Sequence, residues 1–79
     1  MDREDIIKKS NEIIIDTLGI DASEIKDTTE LAGDLGLDSL DCVDLMMKFE
    51  KELSIDISFE ETEQVKTIQD IYDLIEKKV

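Results

Sequence analysis

The chain has 79 residues, with 22 acidic side chains against 9 basic ones, no histidine, and a formal net charge of −13 at pH 7. A chain this short buries only about 60% of the surface its unfolded form exposes, so a large enzyme with a deep substrate cavity is excluded and one small domain over residues 1–79 is expected. Its 41% hydrophobic content is too high for a disordered acidic tail, while three glycines, no proline and few aromatics argue against strands and turns and for a small helical bundle.

Four places carry the same helix-start pattern, a capping oxygen three residues before an acidic side chain: Asp2 and Asp5, Asp38 and Asp41, Ser58 and Glu61, Thr67 and Asp70. The pattern predicts four helices. The first runs over about 3–17, because Ile6, Ile7, Ile13, Ile14 and Leu18 fall on one arc and Gly19 supplies the stop. Residues 19–38 would then form an unusually long connection, which in so small a domain marks an ordered functional loop. Ile20, Ile25, Leu31, Leu35 and Leu37 are spaced along it as anchors, and Asp21-Ala22-Ser23-Glu24 can begin a short turn of helix. A second long helix is expected over about 39–53, a short one near 59–65, and a last over 68–78 with Ile68, Ile71, Tyr72 and Ile75 inward and Lys77 and Lys78 at its end. The fold class is all-α: a four-helix bundle of three longer helices and one short one.

The middle helix has more apolar surface than a core needs. At about 100° per residue, Cys42, Leu45, Met46, Phe49 and Leu53 form one arc, and Leu40, Val43 and Met47 form a second, with Ser39 between them. Either neighbours cover both arcs or the second stripe binds something. Charge bears on the choice, because 11 acidic residues but only Lys48 and Lys51 lie between Glu30 and Glu63, so an apolar patch here is rimmed by carboxylates and suits a basic partner. Nucleic acid and anionic lipid carry the wrong charge. No apolar run approaches the roughly 20 residues of a membrane span, and the acidic start Met1-Asp2-Arg3-Glu4-Asp5 is unlike a secretory signal, so a cytoplasmic protein is expected.

The absence of histidine excludes zinc chemistry and a Ser-His-Asp hydrolase, and Asp38 and Asp41 are too acidic to deprotonate Ser39 at neutral pH. Any chemistry at Ser39 must come from another protein. Following Asp38, it lies in the first helical turn, where unpaired backbone N–H groups favour an attached anion. Read alone, it is merely a serine suited to a helix start.

The surrounding residues, Asp34-Leu35-Gly36-Leu37-Asp38-Ser39-Leu40-Asp41, resemble the signature of acyl carrier proteins. The similarity extends to Leu18-Gly19-Ile20, Ile55-Asp56-Ile57 and Val65-Lys66-Thr67-Ile68 and covers nearly the whole chain. It implies that Ser39 receives 4′-phosphopantetheine from coenzyme A through a phosphopantetheinyl transferase. The chain would then carry acyl groups as thioesters to acyl-transferring or synthase enzymes, those of fatty acid synthesis first, without being an enzyme itself. A carrier for polyketide, aminoacyl or other acyl groups is the alternative. By the same resemblance the docking helix is 39–53, with Asp38, Asp41, Asp44 and Glu50 as acidic contacts and Leu40, Val43 and Met47 as apolar ones. Glu60 and Glu61 match the acidic stretch of the third helix, and Met46, Phe49, Val65 and Ile68 are candidates to line an acyl pocket; their plain alternative is core packing.

Two residues depart from the family pattern. Lys51 stands where relatives often have an acid, and Ser58 replaces a common proline, though as a capping residue it serves the same start. Cys42, on the core arc, reads as a small buried hydrophobe. Two rivals remain. A calcium loop from Asp41 to Glu52 fails internally, with Val43 and Leu45 at ligand positions and Met46 where the turn requires glycine, so no metal site is expected. An acidic interaction module would keep the fold and charge and leave Ser39 unmodified. A monomer is expected in either case.

Overall fold

The computed structural model describes all 79 residues, Met1–Val79, as four helices with no strands. Helix α1, Arg3–Leu18, starts where Asp2 accepts the Asp5 N–H at 2.9 Å and stops at Gly19, whose φ of 65° releases its N–H to the Ile15 carbonyl. A residue with a Cβ would be strained there. Helices α2 (Ser39–Leu53), α3 (Phe59–Gln64) and α4 (Ile68–Lys78) each begin with a reciprocal capping pair: Asp38 with Asp41, Ser58 with Glu61, Thr67 with Asp70. The expected boundaries hold to within one residue. Leu18 extends α1, and Val65 falls outside α3 because its backbone is already extended and its side chain is buried.

Helix α1 packs against α2 and α4, while α3 packs chiefly against α2. Ile6, Ile14, Leu31, Leu45, Phe49, Ile68, Ile71 and Ile75 form the fully buried centre. Removing their side chains from water supplies about 1.5–3 kcal/mol each, the main force available to so small a bundle. At one end Arg3 ties α1 to α4 through Asp73 (2.9 Å) and Glu76 (3.1 Å) and lies 5.8 Å from the centre of the Tyr72 ring. The Tyr72 hydroxyl donates to Asn11, so both ends of this buried ring are engaged. Ser10 lies at the middle of the inward arc of α1, fully buried, and its hydroxyl has no partner.

The long connection is ordered, as its apolar spacing implies, but side-chain anchors are only part of the reason. Leu31 is 1% exposed, and Ile20, Ile25, Leu35 and Leu37 pack at the edge of the core. Ala22–Glu24 forms a turn of 3₁₀ helix, braced by Glu24 accepting from the Asp21 N–H at 2.9 Å. Backbone bonds then stitch the loop to the start of α4: the Leu31 N–H donates to Lys66, Ile68 to Thr29 and Gln69 to Asp27, at 2.9–3.0 Å. These bonds satisfy groups that would otherwise be buried without partners. They fix the approach to α2 and thereby the position of Ser39.

Candidate functional site around Ser39

Ser39 is the first residue of α2 and is exposed. The cap around it is held by two bonds, from the Asp41 N–H to Asp38 Oδ1 (2.8 Å) and from the Asp38 N–H to Asp41 Oδ2 (3.1 Å). Ser39 thus stands in the chain between the two capping carboxylates, with its side chain exposed. Approach by a basic protein is favoured, and approach by an anion needs a cation beside it.

The two arcs of α2 have different fates. Leu45, Met46 and Phe49 are buried, with Cys42 and Leu53 half-buried, whereas Leu40 is 73% and Met47 58% exposed and Val43 is partly covered. The second stripe therefore faces solvent along most of its length. Asp38 at the cap and Asp41 and Asp44 of the same helix are exposed, as is Glu60 on α3, so carboxylates accompany the apolar strip from Ser39 onward.

Glu50 and Glu61 differ from the other acids read from the sequence as contacts. Glu50 is half-buried and accepts the Ile57 N–H at 3.1 Å, bracing the turn into α3. Glu61 accepts from the Ser58 N–H at 2.9 Å and pairs with Lys78 at 2.9 Å; the backbone bond first and the lysine second hold its carboxyl down to about 2. Both serve the fold, which a helix wheel cannot reveal.

Beside Ser39 lies a cavity of about 290 Å³ between α2, α3 and the end of the long loop. Ser39, Cys42, Val43, Phe59, Val65 and Lys66 line it, together with Leu31 and Leu37 from the loop. Of the four residues proposed as pocket lining, only Val65 is among them. Met46 and Phe49 of α2 and Ile68 of α4 are 2%, 0% and 0% exposed and belong to the buried core cluster. Phe59 is the feature missed: its ring is 62% exposed at the first position of α3. A large apolar residue at a helix start, outside any inward periodicity, was the available signal. Burial, reinforced by Asp41 and Asp38 and opposed by Lys66, raises the Cys42 thiol above its ordinary value, so it stays protonated at neutral pH and is a poor nucleophile.

A second depression of about 220 Å³ lies between α1 and α2, walled by Lys9, Glu12, Asp16, Lys48 and Glu52. Its charges suit water better than an apolar cargo. The groove at Ser39 is the better site: an exposed hydroxyl, an apolar trough beside it, one cation at the edge and an acidic apron outside. Such an arrangement would suit attachment of a group at Ser39 and contact with basic proteins.

Comparison with known proteins gives the class of the chain. Residues 11–75 match the family described as phosphopantetheine attachment site. The acyl carrier protein of Thermotoga maritima is 43% identical over 77 residues, covering 98% of this chain and 95% of its own. That of Solidesulfovibrio magneticus is 42% identical over 73 residues, covering 92% and 94%. A solved structure from Mycobacterium tuberculosis, described as a candidate acyl carrier protein, superposes with a TM-score of 0.83 at 32% identity over 91% of this chain and 96% of that one. The chain belongs to the acyl carrier protein family, whose members hold a 4′-phosphopantetheine group. The residues around Ser39 fit such a group, with an exposed serine and a largely apolar cavity of about 290 Å³ beside it.

Proposed function

We propose that Ser39 is the attachment point and that this chain, a single carrier domain over 1–79, presents acyl thioesters to the enzymes of fatty acid synthesis. What supports this most is the placement of an exposed serine at the mouth of an apolar cavity and at the head of an apolar stripe accompanied by carboxylates. When bound, the prosthetic group supplies a thiol on a flexible arm; the chain supplies the rest. Asp38, Asp41, Asp44 and Glu60 steer basic enzyme surfaces toward Ser39, and Leu40, Val43 and Met47 give limited apolar contact, so that docking is fast and release easy. Glu50 and Glu61 contribute charge at longer range while holding their own hydrogen bonds. Val65 borders the cargo directly; Met46, Phe49 and Ile68 are reached by it only if the core opens. The protein acts as a cytoplasmic monomer without catalytic groups of its own.

The test is intact mass before and after incubation with coenzyme A, magnesium and a phosphopantetheinyl transferase. One phosphopantetheinyl group should be gained by the native chain and none by Ser39→Ala. The loaded product is then offered to malonyl-transferring and aminoacyl-transferring enzymes. Loading by the first class supports the fatty acid assignment, and loading by the second alone overturns it. No gain in mass would leave an unmodified acidic interaction module.

A further inference from the structure

Lys66 is the one basic residue lining the cavity beside Ser39, whose only other charged lining residues are Asp38 and Glu63. Its backbone is fixed on both sides: its N–H donates to Asp70 Oδ2 at 2.9 Å, and its carbonyl accepts from the Leu31 N–H at 2.9 Å. The backbone from which the ammonium extends is thus held in place. It joins none of the ion pairs of the fold, which engage Arg3 and Lys78. Its field reaches the thiol of Cys42, one helical turn beyond Ser39, so the charge acts across the cavity mouth.

Attaching a phosphodiester to Ser39 places a negative charge beside Asp38 and Asp41. Both carboxylates are held close by their reciprocal cap and cannot swing away without uncapping α2. A nearby cation is needed to offset that repulsion, and Lys66 is the one this wall provides. Resting on the assignment of Ser39 above, we propose that Lys66 is the counter-ion of the phosphodiester and lays the root of the arm across the cavity toward α3. Basic groups of a docked enzyme would displace Lys66 from the phosphodiester, so docking itself frees the arm. Lys66 is a positioning residue in this scheme and touches no reacting atom. Glu63, on the same cavity wall, is its competitor for the ammonium.

The experiment is 31P NMR of the enzymatically modified native protein and of Lys66→Gln, Lys66→Arg and Glu63→Gln, in low salt and in 0.5 M NaCl. In low salt the native phosphodiester line should be broader than that of Lys66→Gln by about twofold, since a held group loses its independent picosecond-to-nanosecond motion. Lys66→Arg should keep the broad line, Glu63→Gln should broaden it further, and salt should narrow it in the native protein. Equal, salt-independent lines in the native protein and Lys66→Gln would overturn the inference while leaving Ser39 as the attachment point. A native chain that takes up no arm overturns both. Should Lys66→Gln fail to fold, the salt response of the native line decides the matter alone.

Discussion

Ser10→Ala tests the energetics of the bundle at one atom. The hydroxyl lies at 0% exposure with no partner, so folding strips it of water without return. An unsatisfied buried group of this kind costs about 1–3 kcal/mol. Alanine removes that cost and adds about 0.5 kcal/mol of helix propensity. Against this stands the loss of one oxygen's packing contacts, at about 0.1–0.2 kcal/mol for each neighbouring atom. The net expectation is a stabilisation of about 1–2 kcal/mol. Unfolding entropy near 2.1 cal/mol/K per residue gives about 0.17 kcal/mol/K for 79 residues, so Tm should rise by roughly 6–12 °C. Differential scanning calorimetry together with urea unfolding measures both quantities. A Ser10→Ala protein that melts at or below the native temperature would refute the reasoning, because the hydroxyl would then have to be satisfied in the folded state.

Glu61→Gln should lower Tm at neutral pH, and the deficit should disappear in acid. The folded carboxyl lies at about 2 against 4.5 unfolded, so its contribution is fully present above about 4.5 and is lost as pH falls toward 2. Thermal melts of both proteins between pH 7 and 2 would show the gap closing, and a gap unchanged across that window would remove the ion pair and cap as its cause. With a net charge of −13, self-repulsion should make the native chain more stable in added salt or magnesium. A Tm that falls between 20 and 300 mM NaCl would contradict that.

Much of the bundle is legible in the sequence because its helix starts are written as side chains. Asp38 with Asp41, Ser58 with Glu61 and Thr67 with Asp70 place three helix starts to the residue, since a capping oxygen and an acid three positions on have few other uses. The exposure of Leu40 and Met47 follows from their place on a second arc. What periodicity cannot show is the identity of the neighbour. A wheel puts Met46 and Phe49 inward, but only the tertiary arrangement shows them closed into the core while Val43 and Val65 border the cavity. Glu50 reads as another surface acid until the chain folds back and brings the Ile57 N–H to it. The stitching of the long loop to residues 66–69 is backbone to backbone and leaves no mark in side-chain chemistry. Ser10 was readable in position, on the inward arc, and concealed by its polarity.

The uneven fastening of the helices has a further consequence. The start of α4 is sewn to the long loop, and α1 spans both α2 and α4, but α3 is six residues long, packs chiefly on α2 with one ion pair, Glu61 to Lys78, reaching α4, and buries only Thr62. Displacing it exposes little apolar surface and breaks few long-range bonds, so its opening free energy lies at the low end of the molecule's range while the frame stays shut. Hydrogen exchange would thus divide the cavity into a slow wall, residues 29–31 and 66–68, and a fast one, 59–64. Under the function proposed above, cargoes of different length would be admitted by adjusting a single short helix, with the rest of the architecture unaware of what is carried.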